Sequence, residues 1–396
     1  MRRDIKVLYL NYMQDLYGSS IGSTIKAIEL LSALNEYGFK ILFEWRCAQS
    51  SSQPGQKDRK NVTHYPALLF LIKRAADVFR DFIAELGILK KAKPDLLVVR
   101  LDAFRVSGIF LSRIFRLPLL VEADNACSYE WIHFHNIPRS AVPFLFKAEK
   151  YLLREATGVF TQSQVTQHYL TSTHRITPEK FREITNGAKS VDRSVLTNRQ
   201  KWMQKLGISE NNLVIGFVGS MHHWHGMKEM KKSISDILAD YQQVKFLFVG
   251  SGGAQARSFR KRFHQNKDRV IFSGSVDHEQ VPELISLFSI SLAPYPNMPF
   301  FYFSPVKLFE YMAAGTAIVA ARIGQIAAVI AHEKTGLLYE PGNIPMMKNQ
   351  IIRLIEDRKL RLTLGADAKK EFKQHHTWQH KASELNEFIR KRINVR

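Results

Sequence analysis

Lys307 and Glu310 are the pair whose residue types and spacing point most directly to chemistry. They lie in Phe303-Ser-Pro-Val-Lys-Leu-Phe-Glu-Tyr-Met-Ala-Ala-Gly315. Three positions apart, they share one face of a helix. Pro305 suits a first helical turn, where its missing N–H costs nothing. Gly315 ends the helix before the apolar run Ala317–Ala321. On such a face the lysine meets a phosphate and the carboxylate accepts from two sugar hydroxyls. A plain surface Lys–Glu pair accounts for the two residues but not for the pattern around them.

Two glycine-bearing loops follow apolar runs. In Tyr17-Gly-Ser-Ser-Ile-Gly-Ser-Thr24, Gly18 and Gly22 let backbone approach a ligand, and exposed N–H groups at a helix start favour an anion. A turn that needs glycine explains the loop equally well, and it lacks the GxGxxG spacing of a dinucleotide site. In Gly219-Ser-Met-His-His-Trp-His-Gly226, three histidines crowd between two glycines. Adjacent histidines on one loop rarely converge on one ion, and no cysteine or paired carboxylate accompanies them. A phosphate cradle of backbone N–H groups at Gly219, Ser220 and Gly226, aided by the His225 imidazole, is the better reading, with no metal expected.

Short apolar runs alternating with longer amphipathic stretches position these loops. Ile5–Leu10, Lys40–Phe43, 95–100, 118–122 and 158–163 read as strands, and Thr24–Tyr37 as a helix. After the polar segment Lys189–Gly207 the pattern restarts, with strands at 213–219, 244–250, 270–274, 289–294, 317–321 and 336–339. The last stretch, Glu356–Arg396, reads as helical. Strand–helix alternation implies parallel sheets covered by helices on both faces, so the expected fold is α/β, two doubly wound Rossmann-like domains joined near residues 190–210. Ligands in such sheets sit beyond the carboxyl ends of strands, which predicts a cleft between the domains.

A chain of 396 residues has room for two cores at about 100–200 residues each. Lys+Arg 57 against Asp+Glu 36 gives a net charge of +21, which calls for phosphates, nucleic acid or an acidic membrane as partners. Two cysteines, Cys47 and Cys127, exclude a disulfide framework or a CxxC metal site. No apolar run reaches the length of a spanning helix. The start, Met1-Arg-Arg-Asp-Ile-Lys-Val-Leu-Tyr-Leu-Asn, is broken by Lys6 and reads as a first buried strand. The expected location is cytoplasmic, at or away from the inner face of the cell membrane. No recognition helix, zinc module or aromatic stacking strand appears, so nucleic acid is not the expected partner.

The segment Ser304–Gly315 followed by Thr335-Gly-Leu-Leu-Tyr-Glu-Pro-Gly-Asn343 resembles the donor-site region of family 4 glycosyltransferases of the GT-B fold. Asn186-Gly, Phe217-Val-Gly-Ser with Trp224-His-Gly, Phe248-Val-Gly-Ser-Gly, Ile271-Phe-Ser-Gly-Ser-Val and Leu292-Ala-Pro-Tyr match in the expected order, and Thr377-Trp resembles the start of the terminal helix. The resemblance implies an acceptor domain at 1–190, a donor domain at 191–375 and a helix at 376–396 that returns to the first domain. It implies retaining, metal-independent transfer of a sugar from a nucleotide diphosphate donor, with no cofactor beyond that co-substrate. Glu310 would hold the ribose. Lys307 and the Gly219-Ser220 loop would compensate the diphosphate charge, Val276 would meet the base through its backbone, and Ser304, Pro305, His225 and Gly226 would complete the donor site.

The sequence departs from the family in four places, two of them being that the basic residues common in the Gly loop fall near Ser220 and His225 and that Asn186-Gly is followed by Ala188-Lys189. The first of the family's paired glutamates falls on Tyr302, which supplies no carboxylate. The usual first-domain histidine is replaced by Val121-Glu-Ala-Asp-Asn-Ala-Cys-Ser-Tyr-Glu130. Glu122, Asp124 and Glu130 are the candidates to orient an acceptor hydroxyl or take its proton, against helix capping by Asp124 or Asn125. The acceptor expected is a glycan or a lipid-linked glycan precursor in cell-envelope polysaccharide synthesis. The apolar and basic stretch Tyr65–Lys93 reads first as a helix packed on its own sheet with a solvated basic tail, and second as one that lies on an anionic membrane surface. Two other readings stay open: a catalytically weak nucleotide-sugar-binding or partner protein, and an epimerase or hydrolase on the same fold.

Overall fold

The computed structural model describes residues 4–12, 21–46, 66–135, 137–191, 198–221, 225–250 and 253–393. Contacts divide the chain into one unit of Met1–Thr185 with Trp378–Arg396, and a second of Asn186–Thr377.

The first unit holds six parallel strands: β1 (Ile5–Asn11), β2 (Phe39–Trp45), β3 (Leu96–Arg100), β4 (Leu119–Ala123), β5 (Gly158–Thr161) and β6 (Phe181–Glu183), in the order β2-β1-β3-β4-β5-β6. Its interior strands are mostly apolar because both faces are covered, with the polar residues Lys6, Asn11, Arg100 and Glu122 near strand ends. Leu8, Leu10, Leu97, Val99 and Val121 point to one core, with helices Ala67–Ala92, Ser107–Phe115 and Val142–Glu155 over it. Val7, Tyr9, Val98, Leu120 and Phe160 point to the other, under helices Ile21–Ala33 and Trp378–Arg392. The three-residue edge strand β6 is too short to show in the sequence pattern.

The second unit holds β7 (Leu213–Val218), β8 (Val244–Val249), β9 (Val270–Gly274), β10 (Ile290–Ala293), β11 (Ala317–Ala321) and β12 (Leu337–Tyr339), again all parallel, in the order β12-β11-β10-β7-β8-β9. Numbered within the unit this is 3-2-1-4-5-6, the Rossmann arrangement, whose order reverses between β7 and β10.

The chain enters the second unit earlier and leaves it later than the expected boundaries at 190 and 375. Asn186 N donates to Ser304 Oγ (3.3 Å) and Ala188 N to His376 O (3.2 Å), which ties both ends of the segment into the second unit. The terminal helical stretch breaks at residues 376–377, and the part that joins the first unit starts at Trp378.

Candidate functional site

The sheet order of the second unit places the carboxyl ends of β7 and β10 side by side, and the residues that follow them are Gly219 and Pro294. The helix Val306–Ala314 delivers Lys307 to this point. Pro305 stands one residue before its first turn, at φ −69°. Lys307 Nζ lies 4.2 Å from the Phe217 ring centroid and 5.6 Å from that of Tyr295. The side chain is 9% exposed, and among the described residues Nζ has no hydrogen-bond partner. Burial in this aromatic setting pulls its pKa from the ordinary lysine value down to about 7, although Glu310 opposes the shift. A buried ammonium with only the Glu310 charge nearby and no hydrogen-bond partner among the described residues is costly to the fold, so the site is poised to receive an anion.

Gly219 leaves the space that ammonium occupies. Its φ of +136° lies outside the range an L residue adopts, and a Cβ there would stand 3.0 Å from Lys307 Nζ. At the far end of the loop, Gly226 (φ +63°) packs so closely that a Cβ would sit 2.5 Å from the Pro294 carbonyl oxygen. Gly226→Ala is therefore expected to destabilise the second unit by about 1–3 kcal/mol, because rigid backbone rather than a side chain must yield. Urea unfolding would measure it, and an unchanged midpoint would disprove the contact. His225 Nδ1 is hydrogen-bonded to the Ser220 carbonyl oxygen, and its ring meets Phe217 and Tyr295 edge-on, each at 5.7 Å. The imidazole thus shapes the loop. His222 and His223 lie outside the described residues, as does Gly18. Among the described residues, no group of three or more His, Cys, Asp or Glu could hold a metal.

Glu310 Oε1 lies 2.9 Å from His278 Nε2. Val276, two residues before that histidine, lines a cleft of about 370 Å³ with Trp202, Lys205, Ser275 and Glu283. Ser304 is held by the Asn186 side chain, whose amide donates to the Ser304 carbonyl oxygen. The structure thus brings Gly219, Ser304, Pro305, Lys307 and Glu310 into one region of one unit. Three contributors were missed in the sequence: Phe217 and Tyr295, which desolvate the lysine, and Tyr311. The Tyr311 hydroxyl accepts from Val218 N (2.8 Å) and donates to Leu292 O (3.3 Å), bracing the ends of β7 and β10. All three stood inside the motifs, but spacing gave no sign that they converge. Tyr302 is buried against Phe300 and Phe303, with ring centroids 5.3 and 4.3 Å away.

The first-unit candidates are placed differently from expectation. Glu122 and Asp124 are 0% and 2% exposed. Lys26 Nζ reaches Glu122 Oε1 at 2.8 Å and also pairs with Asp124, while Arg100 Nη2 lies 3.0 Å from Asp124 Oδ2 and the Tyr9 hydroxyl donates to Glu122. Burial pushes the Asp124 carboxyl up, but Lys26 and Arg100 outweigh it and hold the pKa below the ordinary aspartate value. Burial likewise pulls Lys26 down, and Asp124 and Glu122 overcome that as well. Carboxylates so enclosed and neutralised act as structural anchors at the strand ends rather than as bases open to an acceptor. Neither caps a helix: the residue before Cys127–Phe134 is Ala126, which makes no side-chain cap. Glu130 accepts from the Asn125 side-chain amide. Gly22 lies in the first turn of Ile21–Ala33 with open space where a Cβ would stand, so no close approach demands glycine there.

Comparison with known proteins agrees with this geometry. Residues 198–371 match the sequence model of glycosyl transferases group 1. The chain is 22% identical over 270 residues to 2-deoxystreptamine glucosyltransferase of Streptomyces kanamyceticus, spanning 66% of this chain and 68% of that protein. With the next two relatives the alignments span 59% and 47% of those proteins' own lengths. Sucrose-phosphate synthase of Thermosynechococcus elongatus superposes with a TM-score of 0.75 at 18% identity, covering 99% of this chain and all of that one. Anabaena HepE in complex with UDP and glucose gives 0.69 at 18% identity, covering 98% and 100%. Residues 198–371 thus carry the likeness to group 1 glycosyl transferases, and the chain as a whole has the GT-B fold.

Proposed function

We propose that the protein transfers a sugar, with retention of configuration and without a metal, from a nucleoside diphosphate donor to a hydroxyl of a glycan or lipid-linked glycan precursor in cell-envelope polysaccharide synthesis. The observation that carries this reading is the buried, unpartnered Lys307 ammonium at the point where the strand order of the second unit reverses. An anion bound there exchanges a costly isolated charge for a charge-assisted contact. The Gly219 loop and the start of Val306–Ala314 face the same point, and a helix N-terminus favours phosphate. In this reading Glu310, which is hydrogen-bonded to His278, accepts from the ribose hydroxyls, and the Val276 backbone meets the base.

The chemistry this arrangement serves is departure of the diphosphate. Charge grows on the leaving oxygen as the glycosidic bond breaks, and a preorganised cation lowers that barrier without reorganising. The acceptor oxygen attacks from the face the diphosphate leaves, which retains configuration, and its proton passes to the departing phosphate oxygen. Support for a nucleotide donor comes from the structural neighbour Anabaena HepE, solved in complex with UDP and glucose. Nucleic acid has no part in this reading.

Calorimetric titration with UDP, GDP and ADP and their sugars, with Mg²⁺ and with EDTA, tests the proposal. Binding of one nucleotide series, indifferent to EDTA and weakened about tenfold or more by Glu310→Ala, is the expected result. Unchanged affinity in the Glu310 variant would remove the ribose assignment. A second reading rests on the enclosure of Glu122 and Asp124 and on Tyr302 standing where the family has a glutamate: a nucleotide-sugar-binding protein with little turnover. Tight binding with no nucleotide release in the presence of glycan acceptors would favour it.

A further inference from the structure

From Pro294 to Pro305, the loop between β10 and the helix Val306–Ala314 carries no charged side chain. Its twelve residues include four prolines and five aromatic residues, a run of rings on a backbone of restricted freedom. The rings touch in series. Tyr295, whose ring lies 5.6 Å from Lys307 Nζ, meets Phe301 edge-on at 4.9 Å, and Phe301 meets Phe303 at 5.4 Å. Tyr302 then packs on both Phe303 and Phe300, at 4.3 and 5.3 Å, tilted 34° to each. Tyr295, Phe301 and Tyr302 are buried, whereas Phe300 and Phe303 are only half-buried and keep part of their surface open.

The strand order decides which part of a ligand reaches this loop. Val276 follows β9 at one edge of the sheet, and Lys307 stands where the ends of β7 and β10 adjoin. The aromatic loop extends from β10 the other way. Gly324, just beyond β11, packs so closely on it that a Cβ there would stand 2.8 Å from the Phe301 carbonyl oxygen. A Cβ at Gly342, beyond β12, would stand 3.9 Å from the Asn297 Cβ. A nucleoside diphosphate with its base at Val276 and its phosphates on Lys307 therefore directs its sugar over these rings.

The negative face of an aromatic ring attracts C–H groups. A sugar hydroxyl pressed against it leaves water without gaining a partner, whereas a methyl group gains by leaving water. The carboxylate that follows β12, Glu340, is exposed and already ion-paired with Arg322 at 3.3 Å.

We propose that Phe300, Tyr302 and Phe303 form the sugar subsite of the donor site and select a sugar that bears a methyl group over a fully hydroxylated hexose. The methyl is that of a 6-deoxyhexose or of an N-acetyl group, and the half-buried faces of Phe300 and Phe303 receive it. This rests on the donor-site reading and names the class of sugar within it.

Calorimetry of the full chain with UDP, GDP and ADP, each free and carrying glucose, 6-deoxyglucose or N-acetylglucosamine, tests the inference. On the nucleotide that binds, at least one methyl-bearing sugar should bind about tenfold more tightly than glucose, and which one identifies the source of the methyl. Phe300→Ala should erase the preference and leave affinity for the free nucleoside diphosphate unchanged, which separates a lost sugar contact from a lost fold. Phe300→Tyr, which restores a ring, should keep the preference. If neither methyl-bearing sugar outbinds glucose, or if the preference survives Phe300→Ala, the inference is overturned while the donor-site reading stands. Failure of all three free nucleotides to bind would instead remove the donor site itself, and this inference with it.

Discussion

Replacing Lys307 by methionine is expected to weaken nucleotide-sugar binding by about 30- to 100-fold, equivalent to about 2–3 kcal/mol, and to lower turnover by about 10²–10³-fold. The two losses differ because the leaving diphosphate gains charge in the transition state, so the ammonium contributes more there than in the ground state. Stability should move the other way. The unliganded protein holds this ammonium buried among Phe217 and Tyr295 with no hydrogen-bond partner among the described residues, and an apolar side chain of similar length removes that cost. A variant that binds poorly yet unfolds at the same or a higher urea concentration is the signature; normal binding would sink the assignment.

The same residue sets a pH dependence. With a pKa of about 7 in the free protein, Lys307 loses its proton as pH rises through neutrality. A bound anion favours the charged form, so donor affinity should fall about fivefold from pH 7 to pH 8. Binding above pH 7 should take up a proton, seen as a calorimetric heat that varies with buffer. The stability of the unliganded chain runs oppositely. The folded pKa lies below the unfolded one, so the unfolded state holds more protons between about 7 and 10.4, and stability rises with pH across that window. Lys307→Met should abolish both trends.

Asp124→Ala is the second large effect, and it falls on stability. Lys26, Arg100, Glu122 and Asp124 form a buried group of two cations and two anions. Removing one anion leaves an uncompensated buried cation, at a cost of about 3–5 kcal/mol. Denaturant unfolding followed by tryptophan fluorescence should show the shift. The folded pKa of Asp124 is depressed, so its contribution is complete above the ordinary aspartate value and is lost as pH falls below it. If Asp124 instead served as the reaction's base, the variant would keep its stability and lose transfer. That pattern would restore the catalytic role which its burial argues against.

Much of this protein was legible in its sequence for a simple reason. Parallel strands covered on both faces must be apolar along their length, so Ile5–Leu10, 95–100, 213–219 and 317–321 announce themselves, and the pattern restarts where the second sheet begins. Lys307 and Glu310 were legible as a pair because one helical turn fixes their relation whatever surrounds it. Sequence could not show what surrounds it. That Lys307 is buried and unpartnered depends on Phe217 and Tyr295, brought in from two other strand ends, and on the space left at Gly219. The carboxylates Glu122 and Asp124 looked free for catalysis because Lys26 and Arg100, distant along the chain, neutralise them only once the sheet forms. The orientation of Ala67–Ala92 was ambiguous for the same reason. Periodicity gives a helix two faces, and only tertiary packing, by turning Asp81 and Glu85 inward, decided which face meets solvent.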